Sequence, residues 1–126
     1  MTNAVIAGYV RTPYHFAHKG ALIEMRPDDL AAAAIKALVE RSGVDPELIE
    51  DVIAGCAYPE AEQGMNVARI ALLLAGLPQT VGGTTVNRFC GSSMTAIHMA
   101  AGQIAIGSGE AFIAAGVESM TRVVRG

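Results

Sequence analysis

The chain has 126 residues, 52% of them hydrophobic, and a formal net charge of −3. That size suits one modest α/β domain, and the small acidic excess leaves no basic footprint for nucleic acid. Two cysteines without regular spacing argue against a disulfide framework or a zinc centre, and no apolar run nears the roughly 20 residues that span a bilayer.

The opening Met1-Thr2-Asn3 carries no basic stretch and no small-residue cleavage site follows, so no cleaved signal is expected. Residues 4–10, AVIAGYV, are nearly continuously apolar, the pattern of a strand buried on both faces. Residues 11–25 read as a loop, with Pro13 and Gly20 as breakers and His15 and His18 among them. Pro27, followed by Asp28 and Asp29 at the positive end of the dipole, opens a helix that Gly43 ends. Its apolar stripe is Leu30, Ala31, Ala34, Ile35 and Leu38, with Lys36, Glu40 and Arg41 left to water, so it packs on a sheet.

After a turn at Asp45-Pro46-Glu47, residues 52–57 read as a second buried strand containing Cys56. Gly55 and Ala57 flank that cysteine and no helix starts behind it, which makes it a core residue. Residues 59–64 form a loop, and Asn66 caps a helix that reaches Ala75 before Gly76 and Pro78 stop it.

Residues 81–107, VGGTTVNRFCGSSMTAIHMAAGQIAIG, organise the rest. Thr84, Thr85 and Val86 suit a strand, residues 94–106 suit a helix, and Gly91, Ser92 and Ser93 mark the join. Cys90 therefore sits at the start of a helix, among unpaired N–H groups that favour a thiolate and can also hold an oxyanion. Residue chemistry alone leaves two readings open, a nucleophile and a small buried hydrophobe. The helix behind Cys90 has no broad polar face, so one sheet cannot cover it and a further layer is expected. Residues 111–117 form a fourth strand.

Strands alternating with helices predict βαβ units, a mainly parallel sheet and right-handed crossovers. Functional groups then gather at the carboxyl ends of the strands, which brings residues 11–18, residues 59–64, Cys90 and residues 118–121 to one edge. Of the candidates there, Glu118 reads as a carboxylate that fixes the turn or as a neighbour of the site, and Met120 as pocket wall or core. His98, eight residues beyond Cys90, is displaced by about 12 Å along the helix and cannot pair with it. His15 and His18 read as solvated loop residues, since a Cys–His pair needs hydrogen-bond reach and a metal needs further ligands at familiar spacings. The Gly82-Gly83 and Gly107-x-Gly109 pairs lack the full glycine pattern of a nucleotide loop.

Residues 86–97, VNRFCGSSMTAI, together with residues 116–121, GVESMT, resemble the N-terminal half of thiolases, the acetyl-CoA acetyltransferases and 3-ketoacyl-CoA thiolases. The likeness extends to Arg11-Thr12-Pro13, to QGMNVAR at residues 63–69 and to Gly76-Leu77-Pro78. It implies a three-layer α/β/α fold with a mainly parallel mixed sheet. Residues 1–126 would form an N-terminal domain that lacks its final strand, the loop region that binds much of the coenzyme A, and the whole second half. It further implies that Cys90 is acylated, that its backbone N–H serves one oxyanion site, and that the substrate is a coenzyme A thioester with no bound cofactor or metal. Partner groups, a His, an Asn and a second Cys, would come from the C-terminal half. A homodimer or homotetramer follows from the same resemblance, with residues 83–87 pairing across a twofold, and neither nucleic acid nor membrane is an expected partner. A reducing, cytoplasmic location suits a working thiolate. Two alternatives stand beside this reading: a condensing enzyme of the ketoacyl synthase type, and a non-catalytic module that keeps the fold.

Overall fold

The computed structural model describes residues 2–123. The described elements, in chain order, are α1 (Pro27–Ser42), β1 (Ile49–Gly55), α2 (Val67–Leu74), β2 (Gly82–Val86), α3 (Ser92–Ala105) and β3 (Ala111–Gly116). Short 3-10 turns at Pro46–Leu48 and Ala61–Gln63 precede β1 and α2. The three strands run parallel in the order β2-β1-β3. After β1 the chain steps to one side, through α2 to β2, and then crosses back over β1, through α3 to β3. Connections of one hand that step in opposite directions put their helices on opposite faces of the sheet.

The core confirms that arrangement, because β1 buries residues to both sides. Val52 and Cys56 pack with Ile35 of α1 and with Val67, Ala71 and Leu72 of α2. Ile53 faces the other way, against Ala96 and Ala100 of α3. This is the α/β/α layering expected from sequence, and the β-branched centre of β1 suits a strand covered on both faces.

Local signals set most boundaries. Gly43 adopts φ 68° and its N–H donates to the Val39 carbonyl at 3.1 Å, which ends α1. Asn66 caps α2, its side chain accepting from Arg69 N at 3.3 Å and from Thr85 Oγ1 at 2.7 Å. Beneath them an ideal Cβ on Gly83 would stand 2.7 Å from Arg69 Cα, so α2 rests directly on β2.

Two expectations need correction. Residues 4–10 form no strand in the described structure; they run past α1, where Gly8 meets Leu38, and Val5, Ile6 and Tyr9 are exposed. An apolar run encodes burial but not a ladder partner, and both sides of β1 are already taken by β2 and β3. The described sheet is accordingly wholly parallel, with three strands. The second predicted strand also begins earlier, at Ile49, and ends at Gly55, so that Cys56 lies just beyond it while remaining in the core.

Candidate active site

Two glycines decide where α3 begins. An ideal Cβ on Gly55, the last residue of β1, would stand 2.8 Å from Ser92 Cβ and overlap the backbone nitrogen of Ser93. A Cβ on Gly116, the last residue of β3, would stand 3.0 Å from Ser93 Cβ. The first turn of α3 therefore sits on the bare ends of two neighbouring strands, at the place where the direction of chain crossing reverses.

The residues just before that turn form a tight loop. Gly91 N donates to the Arg88 carbonyl at 3.0 Å and Ser92 N to the Phe89 carbonyl at 3.1 Å. Ser92, buried, ties the loop from below: its Oγ accepts from Arg88 N at 2.8 Å and donates to the Phe89 carbonyl at 2.6 Å. Phe89 is held at φ 48°, a left-handed conformation that is strained for an aromatic residue. Neighbouring Cys90 emerges exposed, immediately before the helix N-cap Gly91. A cysteine used as a small hydrophobe would be inside, as Cys56 is.

Cys90 lines a cavity of about 560 Å³. One wall is the Cys90 turn, with Phe89, Ser92 and Ser93; the floor is Gly55 and Gly116; the opposite wall comes from Ala57 and Tyr58 after β1 and from Val117, Glu118 and Met120 after β3. The carboxyl ends of β1 and β3 thus meet the start of α3 at one site. Met120 is placed as wall.

Glu118 holds the far wall. One carboxylate oxygen accepts from Ala57 N at 2.7 Å; the other accepts from Tyr58 N at 3.2 Å and from Gln63 Nε2 at 2.8 Å. Gln63 is fully buried and completes the tie, donating to the Tyr58 carbonyl at 2.9 Å and accepting from Ser119 N. The turn-fixing reading of Glu118 is the one realised. Sequence reasoning quoted Gln63 but gave it no role; an amide in an otherwise solvated loop was its only signal. Behind the same wall, burial and the adjacent Glu118 carboxylate push the Cys56 thiol up to about 11. It is protonated and inert at neutral pH.

The histidines stand apart. None of His15, His18 and His98 lines the cavity, and all three are exposed. His18 N donates to Thr121 Oγ1 at 2.9 Å, so its loop does reach the turn after β3, but through its backbone. Among the described residues no group of His, Cys, Asp or Glu could hold a metal ion, and no helix is long and apolar enough to cross a membrane.

The covering layer expected over α3 is missing among the described residues. Met94, Ile97 and Ile106 are exposed, as is Phe89, the residue before Cys90.

Comparison with known proteins places this geometry. The family model described as "Thiolase, N-terminal domain" matches residues 4–126. A 3-ketoacyl-CoA thiolase of Shewanella denitrificans is 51% identical over 124 residues, covering 98% of this chain and 32% of that protein. The 3-ketoacyl-CoA thiolase of Psychrobacter arcticus is 47% identical over 121 residues, covering 96% and 31%. The crystal structure of the Bacillus anthracis acetyl-CoA acetyltransferase superposes with a TM-score of 0.92 at 40% identity, over 98% of this chain and 31% of that one. The chain thus spans about a third of the length of the curated relatives it matches. With its fold, its Cys90 turn and a match that covers nearly its whole length, the chain belongs to the thiolase family, of which it carries the N-terminal domain.

Proposed function

We propose that this chain supplies the acylated cysteine of a thiolase, an acyltransferase working between 3-ketoacyl-CoA or acetyl-CoA and coenzyme A. The observation that carries the reading is Cys90, exposed on a strained turn at a helix start and opening onto a cavity, in contrast to the buried Cys56. The Cys90 thiolate attacks the thioester carbonyl of acetyl-CoA, or in thiolysis the 3-keto carbonyl of 3-ketoacyl-CoA; a C–S bond forms, and the attacked carbonyl becomes an oxyanion. Gly91 and Ser92 N–H are committed within the turn, so the donor nearest the sulfur is the N–H of Cys90 itself. Collapse expels the thiolate of coenzyme A, or in thiolysis the enolate of acetyl-CoA, and leaves an acyl-enzyme. Attack on that acyl group by coenzyme A thiolate completes cleavage, whereas attack by an acetyl-CoA enolate makes the 3-ketoacyl product. The second Cys that moves the proton, and the His and Asn that build a further oxyanion site, are groups that the resemblance assigns to the C-terminal half. Fatty acid metabolism in a reducing cytoplasm is the setting this chemistry suits.

The partner we propose is a second copy, paired through the free edge of β2. That strand ends the sheet, and an uncovered edge is a template for another strand. Sedimentation at micromolar concentration is expected to give an oligomer; monomer alone would overturn this.

The acyl-enzyme is tested by incubating the chain with acetyl-CoA, recording the intact mass and mapping the added acetyl group. Acetylation at Cys90, absent in Cys90→Ala, is expected. No adduct would overturn the nucleophile reading for this chain and favour a non-catalytic role.

A further inference from the structure

We infer that Glu118 and Gln63 are positioning residues for acyl transfer: they hold the loops after β1 and β3 together as one wall, at a fixed distance from Cys90. The inference rests on the proposed role of Cys90 as acyl acceptor. Glu118 takes both N–H groups of the Ala57–Tyr58 turn, and Gln63, itself fully buried, spans from the Tyr58 carbonyl to Ser119 N while donating to the Glu118 carboxylate. None of these bonds lies within a helix or strand; they extend into the two loops the tie between β3 and β1 that Val117 N makes to the Gly55 carbonyl at 3.1 Å. A carboxylate that accepts from Ala57 N, Tyr58 N, Gln63 Nε2 and Cys56 Sγ is fixed by the residues around it and in turn fixes their geometry. Its removal should therefore loosen the space into which an acyl chain fits while leaving the sulfur's own reactivity alone.

The experiment compares Glu118→Ala, Glu118→Gln and Gln63→Ala with the parent chain. Two rates are read for each: acylation of Cys90 by acetyl-CoA and by a longer saturated acyl-CoA, followed by intact mass, and alkylation of Cys90 by iodoacetamide, which needs no acyl site. Expected is a loss of about tenfold or more in acylation for Glu118→Ala and Gln63→Ala, with alkylation within about twofold of the parent. Glu118→Gln, which keeps one acceptor for the Ala57–Tyr58 turn, should fall between. The pH dependence of acylation should not shift in any variant, since no proton-transfer group has been removed. Acylation at the parent rate in both alanine variants, or an equal loss of acylation and alkylation, would overturn the inference. Should the parent itself take no acyl group, the function proposed above falls, and the wall is read from the ratio of alkylation by N-ethylmaleimide to that by iodoacetamide. A parent-like ratio in Glu118→Ala would then overturn the inference, and a changed ratio would support it.

Discussion

Gly55, at the end of β1, lies directly beneath the backbone nitrogen of Ser93 in the first turn of α3, with no room for a side chain between them. The start of the helix that carries the candidate nucleophile is thereby fixed by contact with the sheet. Gly55→Ala must push that turn outward, and is expected to lower stability by about 1–3 kcal/mol as an overpacked site. Thermal unfolding reads this. At Gly116 the obstruction is the Ser93 side chain, so the double variant Gly116→Ala with Ser93→Gly should recover most of what Gly116→Ala loses. Purely additive losses in that pair would contradict the close-contact account.

The positive φ of Phe89 makes a prediction of the opposite sign. Its side chain is exposed, and every hydrogen bond it makes uses backbone atoms. Phe89→Gly should therefore cost nothing or raise stability by up to about 1 kcal/mol, as left-handed strain is relieved against the added entropy of glycine. Phe89→Val, branched at Cβ, should destabilise by about 1–2 kcal/mol. Urea titration of the two variants side by side checks the order.

The two thiols should separate cleanly by labelling. Iodoacetamide at neutral pH is expected to modify Cys90 alone, with Cys56 reacting only in denaturant, as peptide mapping would show. Burial raises the Cys56 thiol to about 11 in the folded chain. A group raised on folding contributes stability that is fully present below its unfolded value and is lost as pH rises through the folded one. Stability should thus fall between the ordinary thiol value of about 8.5 and about 11, and Cys56→Ala should flatten that alkaline limb. An unchanged limb in the variant would contradict it.

At the acid end one contributing group is Asp28, buried at the start of α1, where Arg26 donates to both its oxygens at 3.0 and 2.7 Å. The Arg26 hydrogen bonds hold its carboxyl below the usual range, against the opposing effect of burial. A depressed carboxyl contributes stability present above its unfolded value and lost as pH falls through the folded one. The parent should lose stability as pH drops below about 4, and Asp28→Asn should be weaker at neutral pH but less sensitive in that acid window. Urea midpoints across pH 2–7 would be measured, and a parent-like acid limb in Asp28→Asn would count against the pairing.

Sequence by itself determined most local structure, because the relevant forces act over a few residues. Pro27 with Gly43 bounded α1, Asn66 capped α2, and Gly91-Ser92-Ser93 marked the start of α3. Alternating strands and helices fixed the parallel layered fold, and the NRFCGSSM stretch singled out Cys90. What tertiary structure decided is whatever depends on a distant partner. Residues 4–10 have the composition of a strand, yet a ladder needs a neighbour that composition cannot name. Gln63 and Glu118 sit 55 residues apart, and only packing of the turns after β1 and β3 joins them into one wall. The positive φ of Phe89 is likewise invisible in sequence, since a left-handed conformation is not one that an aromatic residue adopts by its own preference.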